Sequence, residues 1–347
     1  MATLIVPEIV PSPIQDSETL KKAFQGWGTD KKAVIRVLGQ RNAGQRKKIT
    51  QAYQQLYNES IFDSLRSEIS GDFLNAILLW TYDPPERDAR LINDALKARK
   101  KGVKHLQVIV EVACASSPHH LMAVRQAYCS LFDCSVEEDI ASNIQLPLRK
   151  FLVALVSSYR YDKEVVDMNV AKLEAAHLHE SIKKKELDHN HVVWILGTRN
   201  FFQLRATFAC YKQEYSSTID QDILKCGNDD LQALLRITIL CIESPEKHFA
   251  EVLHSSAECV GCNCFSLFSL DCSTLCNMCK VINSSVVGLG TDEDSLTRAI
   301  VTRAEVDMVK INEEYSRAYK ESVVDAVIGD TSGDYKNFLL TLLGNQI

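Results

Sequence analysis

Tyr53-Gln54-Gln55-Leu56-Tyr57-Asn58-Glu59-Ser60-Ile61 carries a phrase, tyrosine, aromatic and β-branched residue at four-residue steps, that decides the architecture because it returns. It reads Tyr128-Phe132-Val136, Tyr211-Tyr215-Ile219 and Tyr315-Tyr319-Val323 in three further places. Steps of four put side chains on one face of a helix, so the phrase predicts a buried helical stripe. Twelve residues before the leading tyrosines stand Arg41, Ser116, Arg199 and Arg303, so the likeness extends beyond the aromatic pair. The leading tyrosines are 75, 83 and 104 residues apart. This predicts a unit of about seventy-five residues with one large insertion in the last interval.

Within copies the apolar period stays helical: Val34 and Leu38, Ile49 and Tyr53, Leu74, Ile77 and Leu78, then Val192, Ile195 and Leu196. Convincing alternating strands are few, and 8 Pro and 14 Gly are too few for a turn-dominated chain. The expected fold is all-α, four pseudo-equivalent units in a stack.

Composition narrows the function. With 46% hydrophobic and 24% charged residues the chain is globular rather than disordered. A net charge of -6 argues against a nucleic-acid partner, and an anionic membrane would repel the chain unless something bridged the two. Met1 to Ile14 has three prolines and no basic start, so it does not read as a secretory signal. The apolar run Leu234 to Ile242 is short and contains Arg236, so no membrane span is expected. A cytoplasmic protein with its 12 cysteines as thiols is the expectation.

Counting back twenty-five residues from each leading tyrosine gives Gly28, Val103, Glu186 and Gly290; two earlier are Gly26, Lys101, Lys184 and Gly288. Counting forward fifteen gives Glu68, Asn143, Cys226 and Asp330. Only the first and fourth copies carry the loops Gly26-Trp27-Gly28-Thr29-Asp30 and Gly288-Leu289-Gly290-Thr291-Asp292, and only those copies carry the distant acid. Glycines let a short loop turn several carbonyls toward one point, and calcium takes six to eight oxygens. One expected calcium site joins the carbonyls of Phe24, Gly26 and Gly28 to Glu68; the other joins those of Val286, Gly288 and Gly290 to Asp330. The bland alternative for a single loop is an Asp or Thr helix cap preceded by glycines.

Repeats of this length with G-x-G-T-D, and an acid forty residues after the second glycine, resemble the annexin family over nearly the whole chain. Trp80-Thr81-Tyr82 and Glu86-Arg87-Asp88-Ala89 are similar to plant annexins in particular. The resemblance implies five helices per repeat, wound in a right-handed superhelix into a curved disc, with calcium loops on the convex face. It also implies calcium sites in the first and last repeats only. The implied units are a tail at 1-13, then repeats at 14-82, 83-160, 161-253 and 254-347. Their implied function is calcium-dependent binding to acidic phospholipid, peripheral on the inner face of the plasma membrane, without enzymatic activity. Trp27 and Leu289, at the loop tips, are candidate membrane contacts.

Alternatives come from shorter signals. Asp330-Thr331-Ser332-Gly333 matches the D-x-x-G phrase of GTP-binding proteins, but no phosphate loop accompanies it. A nucleotide hydrolase is therefore the enzymatic alternative; an actin scaffold or ion-conducting protein shares the lipid step. The histidine that a peroxidase reading requires is replaced by Gln40. Cys114 and Cys241 match a cysteine pair of plant annexins, either redox-active or buried and inert. All 9 histidines fall between His105 and His254, and most read as solvated residues, although pairs such as His177-x-His179 and His189-x-His191 suit a metal or a pH response. Arg99-Lys100-Lys101 and Lys183-Lys184-Lys185 replace the loops of the middle copies and suit direct contact with anionic lipid. Residues 258-280 contain Cys259-x2-Cys262 and Cys276-x2-Cys279, which reads either as a zinc pattern or as translated intron sequence.

Overall fold

The computed structural model describes residues 1–25, 28–227, 229–257 and 291–345. Among these residues the regular structure is helical, with no strand, in twenty helices that fall into four sets of five. The first set is α1 (Pro13–Phe24), α2 (Lys31–Leu38), α3 (Ala43–Tyr57), α4 (Ile61–Glu68) and α5 (Gly71–Thr81). The second is α6 (Pro84–Lys97), α7 (Val103–Cys114), α8 (Pro118–Phe132), α9 (Val136–Asn143) and α10 (Leu148–Ser157). The third is α11 (Met168–Lys183), α12 (Asn190–Thr198), α13 (Phe201–Tyr215), α14 (Ile219–Leu224) and α15 (Asp230–Glu243). The fourth is α16 (Pro245–Ala257), α17 (Glu293–Arg303), α18 (Met308–Tyr319), α19 (Val323–Asp330) and α20 (Gly333–Leu342). The boundary expected at 253/254 falls inside α16, so the fourth set begins with that helix.

The aromatic phrase is not one continuous helix, as its spacing suggested. In each copy the tyrosine and the second aromatic share the third helix, with ring centroids 4.8 to 5.0 Å apart. The helix then stops at a left-handed residue: Asn58, Asp133, Ser216 or Lys320, with φ of 52 to 61°. The β-branched member, Ile61, Val136, Ile219 or Val323, opens the next helix behind a Ser or Thr cap. Tyrosine and β-branched residue are both buried, on either side of a corner. In three copies the tyrosine hydroxyl reaches eleven residues on to bind the fourth helix, at Ser64, Asp139 and Asp222.

The arginine twelve residues before the tyrosine is structural. Arg41 forks onto Asp16 of α1 with Nε–Oδ2 at 2.7 Å and Nη2–Oδ1 at 2.8 Å, both residues buried. Arg199, in the α12–α13 turn as Arg41 is in the α2–α3 turn, pairs with Glu174 of α11 through Nε. Arg303 holds Asp307 with two nitrogens, and its guanidinium lies 4.6 Å from the Phe249 ring centre of α16. The bidentate geometry of Arg41 with Asp16 and of Arg303 with Asp307 makes burial of those charges tolerable.

The chain groups into two compact units, Met1–Arg87 with Phe249–Ile347, and Asp88–His248. In the first, Trp80 is wholly buried, its indole N–H donates to Leu38 O at 2.8 Å, and the Arg46 guanidinium lies 3.7 Å from its ring centre. Arg46 also pairs with Glu305 at 2.8 Å, which fastens α3 to the turn after α17. The N-terminal residues lie along the fourth set: Thr3 N donates to Ala304 O and Thr3 Oγ1 to Leu342 O. In the second unit Ile109, Phe151, Leu155, Leu178, Leu196 and Leu234 belong to one apolar core, each such side chain contributing about 1.5–3 kcal/mol by leaving water.

Candidate functional site

The first loop is the connection between α1 and α2. Phe24 is the last residue of α1, so its carbonyl has no intrahelical donor to serve and sits at the negative end of the helix dipole. Gly28 adopts φ +91° with open space around it, a backbone that side-chain-bearing residues rarely take. The connection is closed by Asp30 N donating to Ala23 O at 2.9 Å. The Asp30 carboxylate caps α2 by accepting from Ala33 N, so it is a structural residue. Glu68 is the last residue of α4, a second helix C-terminus, and it is half-buried. Thr29 brings the two together: its hydroxyl lies 2.8 Å from Glu68 Oε2 and 3.2 Å from Glu68 O. Gly26 and Trp27 lie outside the described residues.

The fourth copy has the same frame. Asp292 N donates to Ser256 O at 3.0 Å, the counterpart of Asp30 with Ala23, and the Asp292 side chain caps α17. Thr291 Oγ1 donates to Asp330 O at 3.1 Å. Asp330 ends α19, and partial desolvation of its carboxyl pushes its pKa up. Val286, Gly288, Leu289 and Gly290 lie outside the described residues, as does the cysteine-rich stretch 258-280. In the sequence that stretch falls between α16 and α17, as the first loop falls between α1 and α2.

In the middle copies the acid positions are otherwise engaged. Asn143 Nδ2 turns back to Asp139 O at 2.9 Å, and Cys226 Sγ donates to Ile182 O at 3.3 Å. The first basic run occupies the α6–α7 connection and the second runs from the last residue of α11 into the α11–α12 connection, with Arg99, Lys100, Lys183, Lys184 and Lys185 exposed.

Thr29 and Thr291 were not among the expected site residues. The signal was present, since the tyrosine count places Thr29, Lys104, Leu187 and Thr291 at one position, and threonine follows the glycines and the acid. Gly333 has a different role from the one D-x-x-G suggested. It starts α20 at φ +63°, and Gly71 starts α5 at φ +67°, so Glu68-x-x-Gly71 and Asp330-x-x-Gly333 are the same helix-to-helix joint.

The expectation that most histidines are simply solvated needs correction. His248 is buried against Glu111 at 2.9 Å, and His120 reaches Asp88 at 2.6 Å. His179 and His254 stack on Tyr215 and Tyr319, with centroids 3.7 and 3.6 Å apart. His119, His177, His189 and His191 are exposed. Cys114 and Cys241 are buried free thiols, and burial pushes the Cys114 thiol up to about 12, which favours its protonated form.

A sequence profile described as Annexin matches residues 15–80, 174–237 and 278–342. Annexin D3 of Arabidopsis thaliana is 53% identical over 350 residues, covering 100% of both chains. Among solved structures, annexin III superposes with a TM-score of 0.84 at 26% identity, covering 100% of this chain and 98% of that one. A calcium-bound annexin (Sm)1 gives a TM-score of 0.79 at 25% identity over 99% of this chain and 93% of that one. Four five-helix sets, two framed loops and these likenesses lead to one conclusion: the chain belongs to the annexin family, as a member of plant type.

Proposed function

We propose that this protein binds calcium and, through it, acidic phospholipid surfaces. The observation that carries the reading is the contact of Thr29 with Glu68, repeated in main-chain form by Thr291 with Asp330. It holds the end of a glycine loop against the C-terminal end of a second helix, in the two copies that carry a carboxylate there. Two helix C-termini, free carbonyls and a carboxylate make an oxygen-rich, electronegative place for a hard divalent ion. The first site is assigned to the carbonyls of Phe24, Gly26 and Gly28 with Glu68, and the second to those of Val286, Gly288 and Gly290 with Asp330.

An ion held on one side by these ligands keeps positions for water or a lipid phosphoryl oxygen. It thereby cancels the repulsion between a chain of net charge -6 and an anionic headgroup. Trp27 and Leu289 then meet the bilayer interface, where an amphipathic indole is at home. No helix among the described residues is long and apolar enough to cross a membrane, so attachment is assigned to the surface. A hydrolase reading of Asp330 to Gly333 has less support, because the Gly333 backbone repeats at Gly71 as a joint.

Sedimentation with anionic vesicles across a calcium series tests the proposal. The parent chain is expected to pellet only with calcium, and Glu68→Ala with Asp330→Ala to stay in the supernatant. Undiminished calcium-dependent pelleting of that double variant would refute the assignment.

A further inference from the structure

The third repeat has neither glycine loop nor acid, yet its α11–α12 connection is flanked by three imidazoles. His177 lies in the second half of α11, His189 caps α12, and His191 is in the first turn of α12; all three are exposed. The His177 and His191 ring centroids are 4.6 Å apart and those of His189 and His191 4.9 Å. A tetrahedral ion with imidazole nitrogens at about 2.0–2.1 Å holds two ring centres roughly 5 Å apart. Both spacings are therefore close to chelating distance without an ion. His189 differs from the other two because its Nδ1 accepts the His191 backbone N–H at 3.2 Å. That nitrogen's lone pair is committed to the helix cap, so in the neutral ring Nε2 carries the proton and His189 is not a ligand.

We propose that His177 and His191 chelate a first-row divalent transition metal such as zinc, with water completing the shell and His189 holding the start of α12 through its cap. Among the described residues no group of three or more His, Cys, Asp or Glu could hold a metal ion, so the protein's share of this site is two imidazoles and no more. Imidazole nitrogen suits zinc, nickel or copper and is a poor ligand for calcium, which takes oxygen. The third repeat thus exchanges one class of metal for another on the connection where the first repeat carries its glycine loop. Lys183, Lys184 and Lys185 oppose a cation there, while Glu180, Glu186 and Asp188 favour one.

Zinc titration of the full chain by calorimetry tests this, with Cys259, Cys262, Cys276 and Cys279 changed to Ser in every arm so that those thiols do not take the metal. The expected result is one zinc bound per chain, lost in His177→Ala with His191→Ala and kept in His189→Asn, which keeps a capping side chain. Equal zinc binding by the double variant, or none by the parent, would overturn the proposal. Helical circular dichroism shows that the variants fold. Calcium-dependent pelleting is read separately and is expected to be unchanged, so this site and the calcium loops fail or stand independently.

Discussion

The Thr29 hydroxyl lies 2.8 Å from a carboxylate oxygen of Glu68, a residue 39 positions further along the chain. This contact aligns the first loop with its acid before any ion is bound. Thr29→Val removes the hydroxyl and keeps the shape. A hydrogen bond to a charged group is worth about 1.5–3 kcal/mol, so the calcium needed for half-maximal vesicle pelleting should rise by roughly tenfold or more at this site. A calcium series on Thr29→Val in an Asp330→Ala background, where only the first site remains, reads the effect directly. An unchanged midpoint would show that the loop holds itself.

Acid should affect the fourth site through Asp330. Its carboxyl pKa is raised by desolvation, so protons compete with calcium at a higher pH than for an ordinary aspartate. In a Glu68→Ala background the calcium midpoint is expected to climb as pH falls through that raised pKa. The sign for stability is opposite to that of a paired carboxylate: an ionised group disfavoured by folding weakens the metal-free fold above its unfolded pKa. Asp330→Asn should therefore raise Tm in chelator at neutral pH, with the gain disappearing in acid. Thermal melts at two pH values check it.

Gly333→Ala separates a joint from a catalytic loop. Its φ of +63° strains any side chain, although space is open around it. A loss of about 1 kcal/mol in denaturant unfolding is expected, with calcium-dependent pelleting retained. Nucleotide turnover by the parent that disappears in this variant would restore the hydrolase reading.

Thiol labelling should distinguish exposure from number. Cys129 is exposed, whereas Cys114, Cys210 and Cys241 are buried, and the Cys114 thiol is pushed up to about 12. Peptide mapping after brief alkylation of the native protein should find Cys129 modified and those three intact. Rapid modification of Cys114 would revive a redox role for the Cys114 and Cys241 pair.

A buried pair tests what holds the repeat together. Asp16→Asn leaves the Arg41 guanidinium buried beside a neutral amide, and breaking such a pair costs about 3–5 kcal/mol. Urea unfolding is expected to show that loss. The calcium midpoint should move little, because neither residue touches the loop.

Much of the molecule was legible from its order of residues. A fixed offset from four tyrosines revealed the copies, and the joint presence of Gly26, Gly28 and Glu68, or Gly288, Gly290 and Asp330, distinguished the outer copies from the middle ones. Such regularities survive in one dimension because equivalent residues meet the same neighbours in every repeat. Tertiary structure alone decided what the spacing concealed. Ser216 and Lys320 end helices in a left-handed backbone that their chemistry does not announce, so the third member of the phrase turns a corner. Likewise His248 finds Glu111 only across 137 positions. Whether a hydroxyl ties a loop, a glycine serves a joint or two imidazoles share a metal depends on distances between segments that sequence periodicity does not encode.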